Sequence, residues 1–210
     1  MKNLLACLSC VITVFFISCS GGGQKKVTVY SSGTIKVTDK TIELEPGTRH
    51  NEQELIFTDD KVTLTVKTAG GGDKTFDATE NGVYLLNLQV DTLIGSLVNY
   101  GASAERSRIT AEQVEKIIDS TQQLMLGKNA SPANKTFFIP PFTLQKISAE
   151  NNARLVSSFK GIPYKLEADA DGKIPEVYKF FTNKQKRETL TELFQKREEM
   201  KKTGVQVIEE

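Results

Sequence analysis

Val62-Thr63-Leu64-Thr65-Val66 alternates apolar and polar residues without a break. Successive side chains of an extended strand point to opposite faces, so a period of two predicts a half-buried β-strand. Tyr84, Leu86, Leu88 and Val90 repeat the pattern, with Asn87 and Gln89 on the opposite face. Shorter strand candidates are Val27–Tyr30, Thr34–Val37, Thr41–Leu44, Glu54–Thr58 and Lys74–Ala78. Turn chemistry separates them at Pro46-Gly47, Asp59-Asp60, Gly70-Gly71-Gly72-Asp73 and Asn81-Gly82. Many short strands joined by such turns predict an antiparallel sandwich or small barrel from about Val27 to Tyr100.

The second half changes character. Thr110 with Gln113 forms a capping box, and Val114, Ile117, Ile118, Thr121 and Met125 then share one helical face up to Gly127. A polar loop from Lys128 to Lys135 leads to Phe137-Phe138-Ile139-Pro140-Pro141, whose double proline bars a regular central strand and predicts an extended edge or loop. Phe142–Ser148 reads as a strand. Ala153–Lys160 reads as helix or hairpin strand, with strand preferred. Pro175 suits a first helical position, with Val177, Phe180 and Phe181 packing that turn inward. Thr182 with Gln185 offers another capping box, opening a final helix to about Lys202 whose buried side carries Leu190, Leu193 and Phe194. The fold class is α+β: a β-rich unit over residues 27–107, then a mixed region over 108–210 with two main helices.

Ahead of the strands, Lys2 precedes an apolar run from Leu4 that closes on Phe16-Ile17-Ser18-Cys19. The run fits a signal peptide's core and falls short of the roughly 18–20 apolar residues that span a bilayer. The motif resembles the lipobox of a bacterial lipoprotein precursor. The resemblance implies removal of residues 1–18 and a diacylglyceryl group on Cys19, usually with a third acyl chain on its amine. With about 0.8 kcal/mol per buried methylene, two or three chains hold a protein on a membrane essentially permanently. Ser20, a non-Asp residue after the cysteine, points by the familiar sorting rule to the outer membrane. A signal peptidase I cut after Ser20, with Ser18 at −3, and an uncleaved anchor are the alternatives.

Residues 19–26, with Gly21-Gly22-Gly23, read as a lipidated cysteine and a flexible tether; Ser20 to Lys26 would span roughly 15 Å. Cys7 and Cys10 fall inside the leader, so the mature chain keeps no thiol for a disulfide, a thiolate metal site or a nucleophile. Loss of Lys2 leaves 26 basic against 26 acidic residues. A neutral chain has no long-range field to draw it onto DNA or RNA, and none is expected as a partner.

Candidate chemistry is sparse. His50 is the only histidine and sits in a turn-like setting, which predicts an exposed or capping role. Ser157-Ser158-Phe159-Lys160 fits S-x-x-K and Lys202-Thr203-Gly204 fits K-T-G, as in penicillin-interacting serine enzymes. The two lie too close together, and the middle S-x-N element is missing. Glu167, Asp169, Asp171 and Gly172 resemble the start of an EF-hand calcium loop, but Tyr178 replaces the closing carboxylate. A polar turn is the plainer reading, so neither a metal nor a cofactor is expected. Asp91-Thr92-Leu93 and Asp119-Ser120-Thr121 resemble an O-glycosylation pattern of bacterial envelopes. Adjacent Phe137 and Phe138 point opposite ways in an extended chain; burial within the chain is the first reading, and a contact patch of Phe137, Phe138, Ile139 and Phe142 the alternative.

The function these features imply is a membrane-anchored envelope lipoprotein that binds or assembles without catalysis. Its partners are the membrane through Cys19 and, beside it, other envelope proteins. A carrier enclosing an apolar ligand is the second reading, and a hydrolase using Asp59, Asp60 or Asp91 the third.

Overall fold

The computed structural model describes residues 23–99, 108–203 and 207–208; Cys19 and its leader lie outside them. Five strands come first: β1 (Lys25–Thr38), β2 (Thr41–Phe57), β3 (Val62–Thr68), β4 (Gly72–Ala78) and β5 (Gly82–Leu88). There follow β6 (Leu93–Leu97), β7 (Arg108–Ile109), α1 (Ala111–Met125), β8 (Thr136–Ile139) and β9 (Thr143–Ser148). The chain then forms β10 (Arg154–Ser157), β11 (Val177–Thr182), α2 (Asn183–Thr203) and β12 (Val207–Ile208), the last pairing with β7. No helix among the described residues is long and apolar enough to cross a membrane.

The first sheet has the order β4-β3-β2-β1-β5-β9 and curls into a nearly closed barrel. Val62, Leu64 and Val66 point into its interior as the alternation requires, joining Val27, Val29, Ile42 and Leu86. Phe76 from β4, Phe142 just before β9 and Leu144 within it pack on that same cluster and bring the two edges together. Lys74 Nζ lies 4.1 Å from the centre of the Phe142 ring across this seam. Two pairings correct the antiparallel expectation: β1 runs parallel to β5, and β2 parallel to β3. Pro46-Gly47 does not reverse the chain either. It sits inside β2 at a bulge, where the register jumps from Ser32–His50 to Gly33–Pro46 and residues 47–49 loop out. The reversal between β1 and β2 is at Asp39-Lys40, with Asp39 at φ 53°.

A second sheet, β10-β11-β6-β8, covers the outer face of β1, β5 and β9. The core between them joins Tyr30, Val83 and Leu85 of the barrel to Leu93, Phe137, Ile139, Tyr178 and Phe180. β5 is therefore buried on both sides, and Asn87 and Gln89 are buried rather than solvated. Val90 is exposed, so the apolar alternation stops at Leu88. Strands from both sides of residue 107 share each sheet, with β9 in the first and β6 in the second. The helical turn expected after Pro175 is strand β11: Tyr178 and Phe180 face the core, while pairing to β6 and β10 satisfies its backbone. The preference for a strand near 153–160 holds, but β10 pairs with β11 in parallel rather than as a hairpin.

The helices cover the far side of the second sheet. Thr110 and Gln113 form the reciprocal capping box of α1, and Gly127 ends it at φ 72°. Thr182 and Gln185 do the same for α2. Val114 and Ile118 meet Leu190 and Met200 between the helices, whereas Ile117 is exposed. Arg197 donates two bonds of 3.0 Å to Glu115 and clamps the pair. On β6, a Cβ placed at Gly95 would stand 2.3 Å from the Phe180 ring. Gly95→Ala is therefore expected to cost about 2 kcal/mol by overpacking, read in urea unfolding, with Gly95→Ala/Phe180→Leu recovering part of the loss. A single variant as stable as the parent would contradict this packing.

Candidate functional site

The bulge in β2 decides where the chemistry gathers. Beyond it, His50 and Glu52 are two residues apart on an extended strand and so share a face. They meet Gln89, just past the end of β5, and the turn that follows β10. Gln89 Nε2 lies 2.7 Å from His50 Nδ1, and His50 Nε2 lies 2.7 Å from Glu52 Oε1. An amide nitrogen only donates, so Nδ1 accepts and the ring proton sits on Nε2, donating to Glu52. Both ring nitrogens are thereby engaged. Phe159 stacks on the imidazole with centroids 4.5 Å apart, and Tyr30 meets it edge-on at 5.3 Å.

Glu52 collects three donors: His50, Lys160 and Ser157. Burial pushes its carboxyl up, but these bonds outweigh that and hold it below the usual glutamate range. The Tyr30 hydroxyl is buried without a hydrogen-bond partner; burial first, then the Glu52 charge, pushes the phenol up. Asn87 fixes the surrounding loops. Its amide donates to the carbonyls of Asp91, Ile139 and Pro140, and its oxygen accepts from Gln89 N–H at 3.0 Å.

Above this network opens a cleft of about 370 Å³, lined among others by Ser32, Gln89, Asp91, Phe159, Lys184 and Glu188. The Phe159 ring is 62 % exposed. Asp91 accepts from the backbone N–H of Thr92 and, at 2.9 Å, from that of Lys184, so it caps the start of α2. The barrel interior is filled by its own side chains. A smaller apolar recess of about 210 Å³ at its mouth is lined by Leu44, Pro46, Leu88, Val90 and Phe142, among others.

The residues singled out from sequence fare differently. His50 is neither exposed nor a cap; Tyr30, Gln89 and Phe159 cover most of its ring. Ser157 and Lys160 do come together, but at the end of a strand and around Glu52, not on successive turns of a helix. Gly204 of K-T-G lies outside the described residues. At Glu167, Asp169 and Asp171 the chain makes a polar turn: Asp169 Oδ1 accepts the N–H groups of Asp171 and Lys173, and Oδ2 accepts from Asn152. Those bonds, led by that from Lys173, hold its carboxyl below the usual range in a turn closed by Gly172. No group of three His, Cys, Asp or Glu among the described residues is arranged to hold a metal.

Phe137 and Ile139 belong to the core at 3 % and 1 % exposure, so residues 137–142 form no continuous exposed patch. Phe138 turns the other way, toward Gly127 beyond α1, as alternation demands. Asp59 pairs with Lys40 and Asp60 is exposed, both at the end of the barrel where β1 begins. The residues missed from sequence are Glu52, Gln89 and Phe159. His50-Asn51-Glu52 carried a usable signal, a same-face pair on any strand.

No family model, curated protein or solved structure matches the chain.

Replacing Glu52 by Gln sets an amide against three donors, an expected cost of about 2 kcal/mol at pH 7. A carboxyl held low in the folded state stabilises above its unfolded value, about 4.3, and loses that as pH falls through the folded one. The stability gap between parent and Glu52→Gln is thus widest at neutral pH and closes below about pH 5. Thermal melts at stepped pH check this; a gap that widens toward acid would contradict the network.

Proposed function

We propose that this chain is a lipid-anchored component of a bacterial cell envelope, held on the outer membrane, that binds or assembles through the cleft above His50 and does not catalyse. One observation carries the non-catalytic part of this reading: the sole histidine has both ring nitrogens engaged, by Gln89 and Glu52. No free imidazole nitrogen is left to take a proton from a substrate.

Asp59 and Asp91 do not meet in one site. Asp59 accepts Lys25 on its carbonyl where β1 begins, whereas Asp91 follows the far end of β5. Seven strand residues at about 3.3 Å each separate those ends by roughly 20 Å. Paired carboxylates that cleave glycosides stand within about 10 Å of each other. An internal carrier is less well supported, because side chains occupy the barrel.

The anchoring half rests on Phe16-Ile17-Ser18-Cys19 and the glycine tether behind it. That tether enters the barrel at Lys25, and the cleft stands at Ser32, about 23 Å further along β1. The cleft is thereby offset from the point of attachment. The test is fractionation of cells fed radiolabelled palmitate. The parent chain is expected in the membrane fraction carrying label, and Cys19→Ala in the soluble fraction without it. An unlabelled parent, or a Cys19→Ala chain that keeps the label, would overturn the anchor.

A further inference from the structure

We infer that the cleft takes a neutral, hydroxyl-rich ligand, a monosaccharide unit or short neutral oligosaccharide, with Phe159 as its stacking platform. The inference rests on the binding reading above and names the ligand class.

The platform comes first. Phe159 is an aromatic ring left largely in solvent at a cleft otherwise lined mostly by polar groups. It is not a loose side chain: one face rests on His50, which is itself fixed at both nitrogens. A ring held this way offers its electron-rich outer face to weakly positive C–H groups. The apolar face of a pyranose presents such C–H groups, and its rim presents hydroxyls.

The surroundings suit those hydroxyls. Ser32, Thr48 and Thr182 supply hydroxyl groups, and Asp91, Glu188 and Lys184 charged acceptors and a donor. A hydroxyl both donates and accepts, so a mixed wall of this kind satisfies it from either side. A few such groups around an apolar surface set orientation in a binding pocket.

The charges argue against an anion. Asp91, Glu188 and Lys184 sum to one negative charge around the cleft. The start of α2 would otherwise attract a phosphate or carboxylate. Here that place is taken by Asp91, which accepts the Lys184 N–H. A cavity of about 370 Å³ that is open on one side has room for one sugar unit with a chain leading out of it.

The test uses the full chain in detergent micelles, titrated with methyl glucoside, maltotriose, cellotriose and chitotriose and followed by ligand-observed NMR. A galacturonic acid trimer serves as the acidic comparison. At least one neutral probe is expected to bind saturably, with affinity reduced about tenfold in Phe159→Ala and kept in Phe159→Tyr. Tyr164→Ala, on a fully exposed ring outside the cleft, should leave binding unchanged. Unaltered melting temperatures show that the variants fold. The inference is overturned if no neutral probe binds at about 10 mM. It is equally overturned if Phe159→Ala binds like the parent, or if the acidic trimer binds best. Because the titration does not depend on membrane attachment, loss of the anchor and loss of sugar binding are separate results.

Discussion

Burial of β5 on both faces is the constraint from which the rest of the molecule follows. Gly82–Leu88 lies between β1 and β9 in the barrel, with Tyr84, Leu86 and Leu88 turned inward. Its other face, Val83 and Leu85, is the floor on which the second sheet packs. A strand of this kind needs apolar residues at every position or fully satisfied polar ones. Asn87 is the satisfied polar residue. Its four bonds tie the end of β5 to the loops before β6 and before β9. The same few residues therefore join the two layers and set the geometry of the cleft.

The cleft inherits its rigidity from that junction. Gln89 is held through Asn87, His50 through Gln89 and Glu52, and Phe159 through its stack on His50. Lys160 and Ser157 close the chain of contacts by meeting Glu52 from β10 and its following turn. Barrel and second sheet are thus linked by hydrogen bonds to one carboxylate, and the exposed ring joins them through its stack on His50. A surface fixed in advance loses little freedom when something binds to it, and this is the physical sense in which the arrangement suits recognition.

How much was legible in the sequence depended on how local the signal was. Val62–Val66 and the two capping boxes were readable because a period of two and a Thr-to-Gln spacing of three are satisfied within a few residues. The parallel pairings β1–β5 and β2–β3 join distant segments and leave no local trace. Val177, Phe180 and Phe181 fit a helical spacing, while Tyr178 and Phe180 fit a strand; pairing with β6 decided between them. Pro46-Gly47 carried a true turn signal that the fold spent on a bulge, and that hid the strand on which His50 and Glu52 share a face. Phe137 and Phe138 were correctly placed on opposite sides, but both sides are covered by this chain itself. Gln89 read as the polar face of a strand because nothing nearby announces the second sheet that buries it.

The one histidine is held at both ring nitrogens beneath the cleft. Since the chain has a single histidine, nitrogen NMR of imidazole-labelled protein near pH 7 reports on it without assignment. One set of signals is expected, with Nε2 protonated, Nδ1 unprotonated and the Nε2 proton protected from exchange with water. Signals averaged between tautomers, with a rapidly exchanging ring proton, would contradict it.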